Sequence, residues 1–148
     1  MPTTSIPDLD SLLGTWRLII QEARADDGST MFPYGEKSEG MVTYNVEGNV
    51  MVIIMRPDRS LFASNDPFNG TDQEVREAFE GCIAYCGRFE LDMEAGTVTH
   101  HIEQASFPNM IGTQQVRFVS LEEGRLSLIS PPFFAAGKEW TFYNYWKR

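Results

Sequence analysis

The chain has 148 residues, of which 42% are hydrophobic and 12% aromatic, and its formal net charge at pH 7 is −9. This length predicts a single domain, residues 1–148, large enough to bury roughly two-thirds of the surface of the unfolded chain. The acidic balance argues against nucleic acid and anionic membranes as partners, because contacts to phosphate groups require clustered Lys and Arg, and the 12 basic residues here are scattered.

The N-terminal segment and the cysteines predict a cytoplasmic protein. Residues 1–8 (MPTTSIPD) lack the basic cluster and apolar run of a secretory signal, and no stretch reaches the roughly 18 apolar residues of a membrane span. Cys82 and Cys86 fall in one predicted strand about 13 Å apart, whereas disulfide-bonded Cα atoms lie about 5.5–6 Å apart, so these two cysteines cannot pair with each other.

Two thiols alone do not form a zinc site, and no glycine-rich phosphate loop or dinucleotide fingerprint is present. Neither a metal nor a cofactor is therefore expected.

Eight segments show the apolar and polar patterning of β-strands. They are residues 15–23, 40–45, 49–55, 82–91, 97–103, 112–119, 125–130 and 139–146. Residues 8–13 fit a turn of helix, and one longer amphipathic helix is predicted between the third and fourth strands, where Thr71 and Glu74 have the spacing of a capping box. The third strand is apolar on both faces, which predicts either a central position or packing against something outside.

The links between these strands alternate in length. Short acidic links that end at glycine span residues 45–48, 92–96 and 120–124, and long links with aromatic residues or methionine span 24–39, 56–81, 104–111 and 131–137. Successive turns of an up-and-down antiparallel sheet fall at opposite ends, so all short turns would lie at one end. The sequence therefore predicts an all-β, eight-stranded antiparallel up-and-down barrel, closed at one end, with an apolar rim at the other. Such a barrel is wide enough for side chains or one small ligand.

Two motifs resemble known families. Gly14-Thr15-Trp16 at the start of the first strand resembles the G-x-W signature of lipocalins, in which the tryptophan plugs the closed end and a basic residue near the C-terminus packs over it. Lys147 and Arg148 are both available for that role.

A longer pattern covers most of the chain. The segments AYCGRF (84–89), GTVTHHI (96–102), FPN (107–109), GT (112–113) and QVRF (115–118) resemble the small intracellular lipocalin-like domain family of bacteria and fungi. The resemblance implies a calycin-type eight-stranded barrel. It implies no single reaction, because lipocalin-like barrels of secondary metabolism include both binders and cofactor-free cyclases or isomerases.

His100 is the first of three candidate catalytic residues, with Arg117 and Tyr85. It shares the parity of Val98 and Ile102, which predicts that it points into the barrel. There it either moves a proton on a bound ligand or is a hydrogen-bonded core histidine. The adjacent His101 then points outward, which denies both imidazoles to one metal ion.

The orientation of Arg117 stays open at this point. It shares a face with Gln115, opposite Val116 and Phe118. If that face points inward, Gln115 and Arg117 form a pair of donors suited to a carboxylate, enolate or phenolate oxygen. If it points outward, Arg117 is an ordinary surface charge.

Two functions remain open for the predicted cavity. In the first, the protein catalyses the cofactor-independent isomerisation or cyclisation of a small, largely apolar oxygenated metabolite, and His100 and a tyrosine move the proton. In the second, it is a non-catalytic binding or carrier protein. The expected cytoplasmic location favours the enzyme slightly, and homodimer formation is left open. The predicted ligand contacts are Trp140, Phe142, Tyr44, Gln115, Phe107, Met110 and Phe133.

Overall fold

A computed structural model describes residues 4–148. Residues 1–3, which belong to the segment from which the absence of a signal is predicted, lie outside the described residues. The strands are β1 (Gly14–Ala25), β2 (Thr30–Met31), β3 (Glu39–Tyr44), β4 (Asn49–Met55), β5 (Cys82–Asp92), β6 (Thr97–Ala105), β7 (Gln114–Glu122), β8 (Arg125–Ile129), β9 (Phe133–Ala135) and β10 (Lys138–Lys147). The helices are α1 (Leu9–Leu12), α2 (Asp72–Glu80) and a 3-10 turn at Pro108–Met110.

Eight of these strands close into an antiparallel barrel. Around the barrel the order is β1, β3, β4, β5, β6, β7, β8 and β10, and pairing of β10 with β1 completes the ring. The short strands β2 and β9 extend the edges of β1 and β10. The closed eight-stranded antiparallel barrel predicted from the links is confirmed. Among residues 4–148, neither α-helix has the length and apolar content needed to cross a membrane.

The predicted position of the helix is wrong by one strand. Helix α2 follows the fourth strand, not the third, because the first long link contains β2, which pairs with β1 through Met31 and Thr30. A two-residue strand is too short to produce a recognisable alternation. The predicted capping box is present, since the Glu74 N–H donates to Thr71 Oγ1 at 3.2 Å and the Thr71 N–H donates to Glu74 Oε1 at 2.8 Å.

The closed end of the barrel is built around Trp16. Its indole N–H donates to the carbonyl of Leu12 at 2.9 Å, and its side chain is 1% exposed. The guanidinium of Arg148 lies 4.1 Å from the centre of the Trp16 ring and donates to the carbonyls of Leu13 and Ser11. Arg148, not Lys147, therefore occupies the position that the G-x-W resemblance implies for a basic residue.

A glycine allows the backbones of the paired strands β5 and β6 to approach each other closely near the middle of the barrel. A Cβ atom at Gly87 would lie 1.8 Å from the carbonyl oxygen of His101, so no other residue fits without moving the backbone. The pairing register shifts between Cys86 and Gly87. This shift leaves Glu103 of β6 without a direct partner on β5. His100 lies in the regular part of β6 before Glu103, and its side chain points into the barrel as predicted.

Candidate functional site

A cavity of about 370 Å³ enters the barrel from the end that carries the long links. Its volume is near the lower end of the range of small-molecule pockets, about 300–1,000 Å³. The cavity is lined by apolar side chains of β4, β5, β8 and β10 together with a small number of polar groups. Seven of the predicted site residues line it, namely His100, Arg117, Tyr85, Phe142, Gln115, Phe107 and Met110.

The other three predicted site residues do not line the cavity. Trp140 packs against Ala23 and donates its indole N–H to the carbonyl of Ala135 at 3.1 Å. Phe133 stacks on Phe142 with ring centres 4.8 Å apart, and Tyr44 is fully buried in the main core. Alternation along the strands identifies the face on which a residue lies, but it does not show how deep in the barrel that residue lies.

Tyr44, His100 and Tyr85 form a continuous hydrogen-bonded chain. The hydroxyl of Tyr44 lies 2.7 Å from His100 Nε2, and the hydroxyl of Tyr85 lies 2.8 Å from His100 Nδ1. These residues come from β3, β6 and β5. Both ring nitrogens of His100 are therefore occupied by protein groups, and only Tyr85 and His100 of the three reach the cavity wall.

The side chains of Tyr44, His100 and Tyr85 are all neutral near pH 7. Burial is the main cause that lowers the pKa of His100 to about 3, and the positive charge of Arg117 and then His101 lower it further. Burial raises the pKa of Tyr85 to about 12 against the opposing effect of Arg117, and it raises the pKa of Tyr44 well above its ordinary value.

The surroundings of Tyr44 determine which nitrogen of His100 carries the proton. Among residues 4–148, His100 Nε2 is the one hydrogen-bond acceptor within reach of the Tyr44 hydroxyl, so Tyr44 donates to Nε2. A neutral imidazole has one donor and one acceptor nitrogen, so Nδ1 is protonated and donates to the oxygen of Tyr85. The hydroxyl proton of Tyr85 is then free to donate to a ligand in the cavity.

Arg117 points into the cavity, which settles the alternative left open by the sequence. Its Nη1 donates to the carbonyl of Val116 at 2.8 Å and its Nη2 to Gln115 Oε1 at 3.4 Å. Within the described chain, no carboxylate forms an ion pair with it. A guanidinium has five N–H donors, and these contacts leave several of them for a ligand. His101 points outward and bonds Glu90 at 3.1 Å.

Sequence reasoning missed a second group of polar residues in the cavity wall, Gln21, Asn144 and Trp146. Asn144 has the parity of Phe142 and could have been found from that signal. Gln21 could not, because the pairing of β1 with β10 shifts between Leu18 and Ile20. This irregularity reverses the parity that starts at Trp16, and it places Gln21 inside.

No group of three or more His, Cys, Asp or Glu within residues 4–148 is arranged to hold a metal ion. Both cysteines, Cys82 and Cys86, are free thiols. The polar groups of the cavity are hydrogen-bond donors and acceptors, so the arrangement is suited to binding an oxygenated organic molecule.

Comparison with known proteins agrees with this architecture. The chain is 32% identical over 102 residues to a protein of Aspergillus oryzae named 4'-hydroxy-3'-methoxypropiophenone carrier protein ppsC, and the match covers 64% of this chain and 92% of that relative. The profile described as "Lipocalin-like domain" matches residues 13–148. Fold and relative together support small-molecule binding, and the chain belongs to the family of lipocalin-like domains.

Proposed function

We propose that this protein binds and carries a small, largely apolar metabolite whose carbonyl, carboxylate or phenolate oxygen is held by Arg117. The observation that carries the proposal is the inward guanidinium, which lines the cavity and, in the described chain, has no carboxylate partner. Removing a charge from water is costly unless other groups compensate it. An oxygen atom of the ligand supplies that compensation.

Two further donors support binding of an oxygen at this wall. Gln115 lies within 3.4 Å of Arg117 Nη2 and shares the cavity wall with it. The Tyr85 hydroxyl proton is directed to the cavity because His100 already donates to the Tyr85 oxygen. Hydrogen bonds from a charged donor are about twice as strong as neutral ones, so Arg117 is the principal anchor, and Tyr85 and Gln115 fix the orientation of the ligand.

The apolar part of the ligand would lie against the aliphatic and aromatic wall. Ile54, Ile83 and Leu128 line the interior, while Phe107 and Met110 come from the link between β6 and β7 at the open end. The relative from A. oryzae is named for an aromatic ketone that carries a hydroxyl and a methoxy group. Aryl ketones of this size are therefore the first compounds to test with this chain.

The alternative function, cofactor-independent isomerisation or cyclisation, has less support than carriage. A general base works best when its pKa lies near the operating pH, and the pKa of His100 is lowered to about 3. Both nitrogens of His100 are also bonded to tyrosines, so a proton from a ligand would have to pass through Tyr85. Mass spectrometry of the ligand before and after prolonged incubation with the protein tests for conversion.

The homodimer left open by the sequence is a separate proposal. The outer face of β3 and β4 carries Met41 and Met51, which are 38% and 55% exposed, and it is the surface on which a second copy would pack. Light scattering coupled to size-exclusion chromatography measures the oligomeric state directly.

The proposed function is tested by calorimetric titration with 4'-hydroxy-3'-methoxypropiophenone. Replacing Arg117 with methionine keeps the apolar stem and removes the charged donors, so we expect a loss of affinity of about 10- to 100-fold, the worth of a hydrogen bond to a charged group. Arg88→Met is the matched control, because Arg88 lies on the outside of β5 and is exposed. Equal affinity of wild type and Arg117→Met would refute the role of Arg117 as the anchor.

A further inference from the structure

We propose that the cavity contains a second polar anchor, made of Gln21, Asn144 and Trp146, that binds a hydroxyl group of the ligand. This inference rests on the proposed function and specifies the class of ligand. The ligand then carries two polar groups on an apolar body, a carbonyl or acidic oxygen at Arg117 and a hydroxyl at the second anchor.

The evidence for this anchor is three buried polar atoms without a hydrogen-bond partner in the described chain. They are Gln21 Oε1, Asn144 Oδ1 and Trp146 Nε1. All three side chains line the cavity, and their exposed fractions are 9%, 5% and 2%. Buried polar groups are nearly always hydrogen-bonded in folded proteins. Three unpaired polar atoms around one cavity therefore indicate a ligand group that pairs with them.

The orientation of Asn144 is fixed by its own contact. Its Nδ2 donates to the carbonyl of Leu128 at 3.1 Å, so Oδ1 is the free atom. The indole N–H of Trp146 also differs from those of the two other tryptophans. Trp16 donates to Leu12 and Trp140 donates to Ala135, whereas Trp146 has no acceptor within residues 4–148.

The topology places this anchor opposite Tyr85 and His100. In the closed order of eight strands, β6 lies opposite β1, and β5 lies opposite β10. Gln21 on β1 pairs directly with Asn144 on β10, so the two amides are neighbours, and Trp146 follows Asn144 two residues later on the same face. The second anchor therefore faces Tyr85 and His100 across the interior, and it lies to one side of Arg117, because only β8 separates β7 from β10.

A hydroxyl group pairs with two of the three unpaired atoms, one acceptor and one donor. Gln21 and Asn144 offer acceptors and Trp146 offers a donor, so a hydroxyl, which has one proton, donates to one amide oxygen and accepts from the indole N–H. A ketone or carboxylate at this wall would leave both amide oxygens unpaired, and an ammonium group would leave the indole N–H unpaired. Of these groups only a hydroxyl pairs with both the indole N–H and an amide oxygen, so the proposed ligand class is a hydroxylated carbonyl compound with an apolar body.

The first test compares two probes that differ by one hydroxyl, 4'-hydroxy-3'-methoxypropiophenone and 3'-methoxypropiophenone. We expect the hydroxylated probe to bind the wild-type protein about tenfold more tightly, the effect of about one net hydrogen bond. Binding of this probe should also move the indole N–H resonance of Trp146 downfield in a ¹⁵N–¹H spectrum, and the probe without the hydroxyl should not. A Trp146→Phe variant assigns the resonance.

The second test locates the hydroxyl by substitution. In a variant that combines Gln21→Leu with Asn144→Leu, we expect the tenfold preference to disappear while the affinity for 3'-methoxypropiophenone is retained. Arg117→Met should weaken the binding of both probes and leave the ratio of their affinities unchanged. Gln114→Leu is the matched control, since Gln114 is exposed on β7, and the spectrum of the wild-type protein answers the question even where the double variant folds poorly.

The outcomes separate the two proposals. If both probes bind with equal affinity and the Trp146 resonance does not respond to the hydroxyl, water satisfies these atoms and the second anchor is refuted, while the role of Arg117 stands. If the preference persists in the double variant, the hydroxyl binds elsewhere and the inference is wrong. If neither probe binds, the proposed function fails and the second anchor fails with it.

Discussion

The closed end of the barrel and the cavity differ in how their polar groups are paired within the described chain. At the closed end the indole of Trp16 and the guanidinium of Arg148 bond the carbonyls of Leu12, Leu13 and Ser11. In the cavity Arg117 has no carboxylate partner in the described chain, and Gln21 Oε1 has no donor.

This difference separates stability from function within one small fold. Paired polar groups contribute to stability, and loss of one partner leaves the other unsatisfied. Unpaired groups in a preformed cavity cost stability in the free protein and gain their partners only when a ligand binds. Substitutions at the closed end should therefore reduce stability, whereas substitutions of the unpaired groups should reduce affinity with little effect on stability.

The largest expected effect is that of Trp16→Ala. The side chain fills the closed end and is 1% exposed, so its loss should lower the free energy of unfolding by about 3–5 kcal/mol. Urea denaturation followed by circular dichroism measures this change. Phe68→Ala is the control, because Phe68 is 97% exposed and should alter stability by less than about 0.5 kcal/mol. A small effect of Trp16→Ala would show that the closed end is not the main source of stability.

Acid should destabilise the protein through His100, which gives the next largest effect. The pKa of His100 is about 3 in the folded state against 6.5 ordinarily, so the unfolded chain binds the extra proton between these values. Stability is therefore nearly full above about pH 7 and falls as the pH falls toward 3, by about 2 kcal/mol between pH 7 and pH 5. Urea denaturation at a series of pH values measures this dependence.

Two variants isolate the contribution of His100. His100→Gln keeps a donor and an acceptor but does not titrate, so its stability should depend less steeply on pH in this range. His101→Gln should leave the slope close to that of the wild type, because His101 is on the outer face and bonds Glu90. A His100→Gln variant with the wild-type pH dependence would contradict the burial of a neutral imidazole.

How much of the site the sequence predicts depends on the regularity of each strand. In β6 and β7 alternation is unbroken around His100 and Arg117, and so it identifies the shared face of His100 with Val98 and of Arg117 with Gln115. The sequence does not show which face of β7 points into the barrel, because an arginine is also common on a solvent-exposed face. The closed order of the eight strands in the structure shows that the face with Gln115 and Arg117 is the inner one.

Irregularities of the backbone could not be predicted from the sequence. The register shift in β1 moves Gln21 to the inner face, and nothing in the residues between Leu18 and Ile20 marks it. The second amide, Asn144, was accessible by parity, but an asparagine in an aromatic strand carries no obvious signal for ligand binding. The G-x-W resemblance, in contrast, identified the closed end with two candidate cations, and contact with the Trp16 ring distinguishes Arg148 from Lys147.

The smallest expected effect is that of Arg148→Met, which tests whether the closed end and the cavity are independent. The guanidinium lies 4.1 Å from the centre of the Trp16 ring and bonds two carbonyls at the end of α1, so its loss should cost about 1–2 kcal/mol of stability. Lys147→Met is the matched control, because Lys147 is exposed and does not contact the ring. Since Arg148 lies outside the cavity wall, the affinity for 4'-hydroxy-3'-methoxypropiophenone should stay within about twofold of the wild type when measured well below the melting temperature. A parallel loss of affinity and stability would mean that the closed end holds the cavity in shape, and the two regions would then have to be treated as one unit.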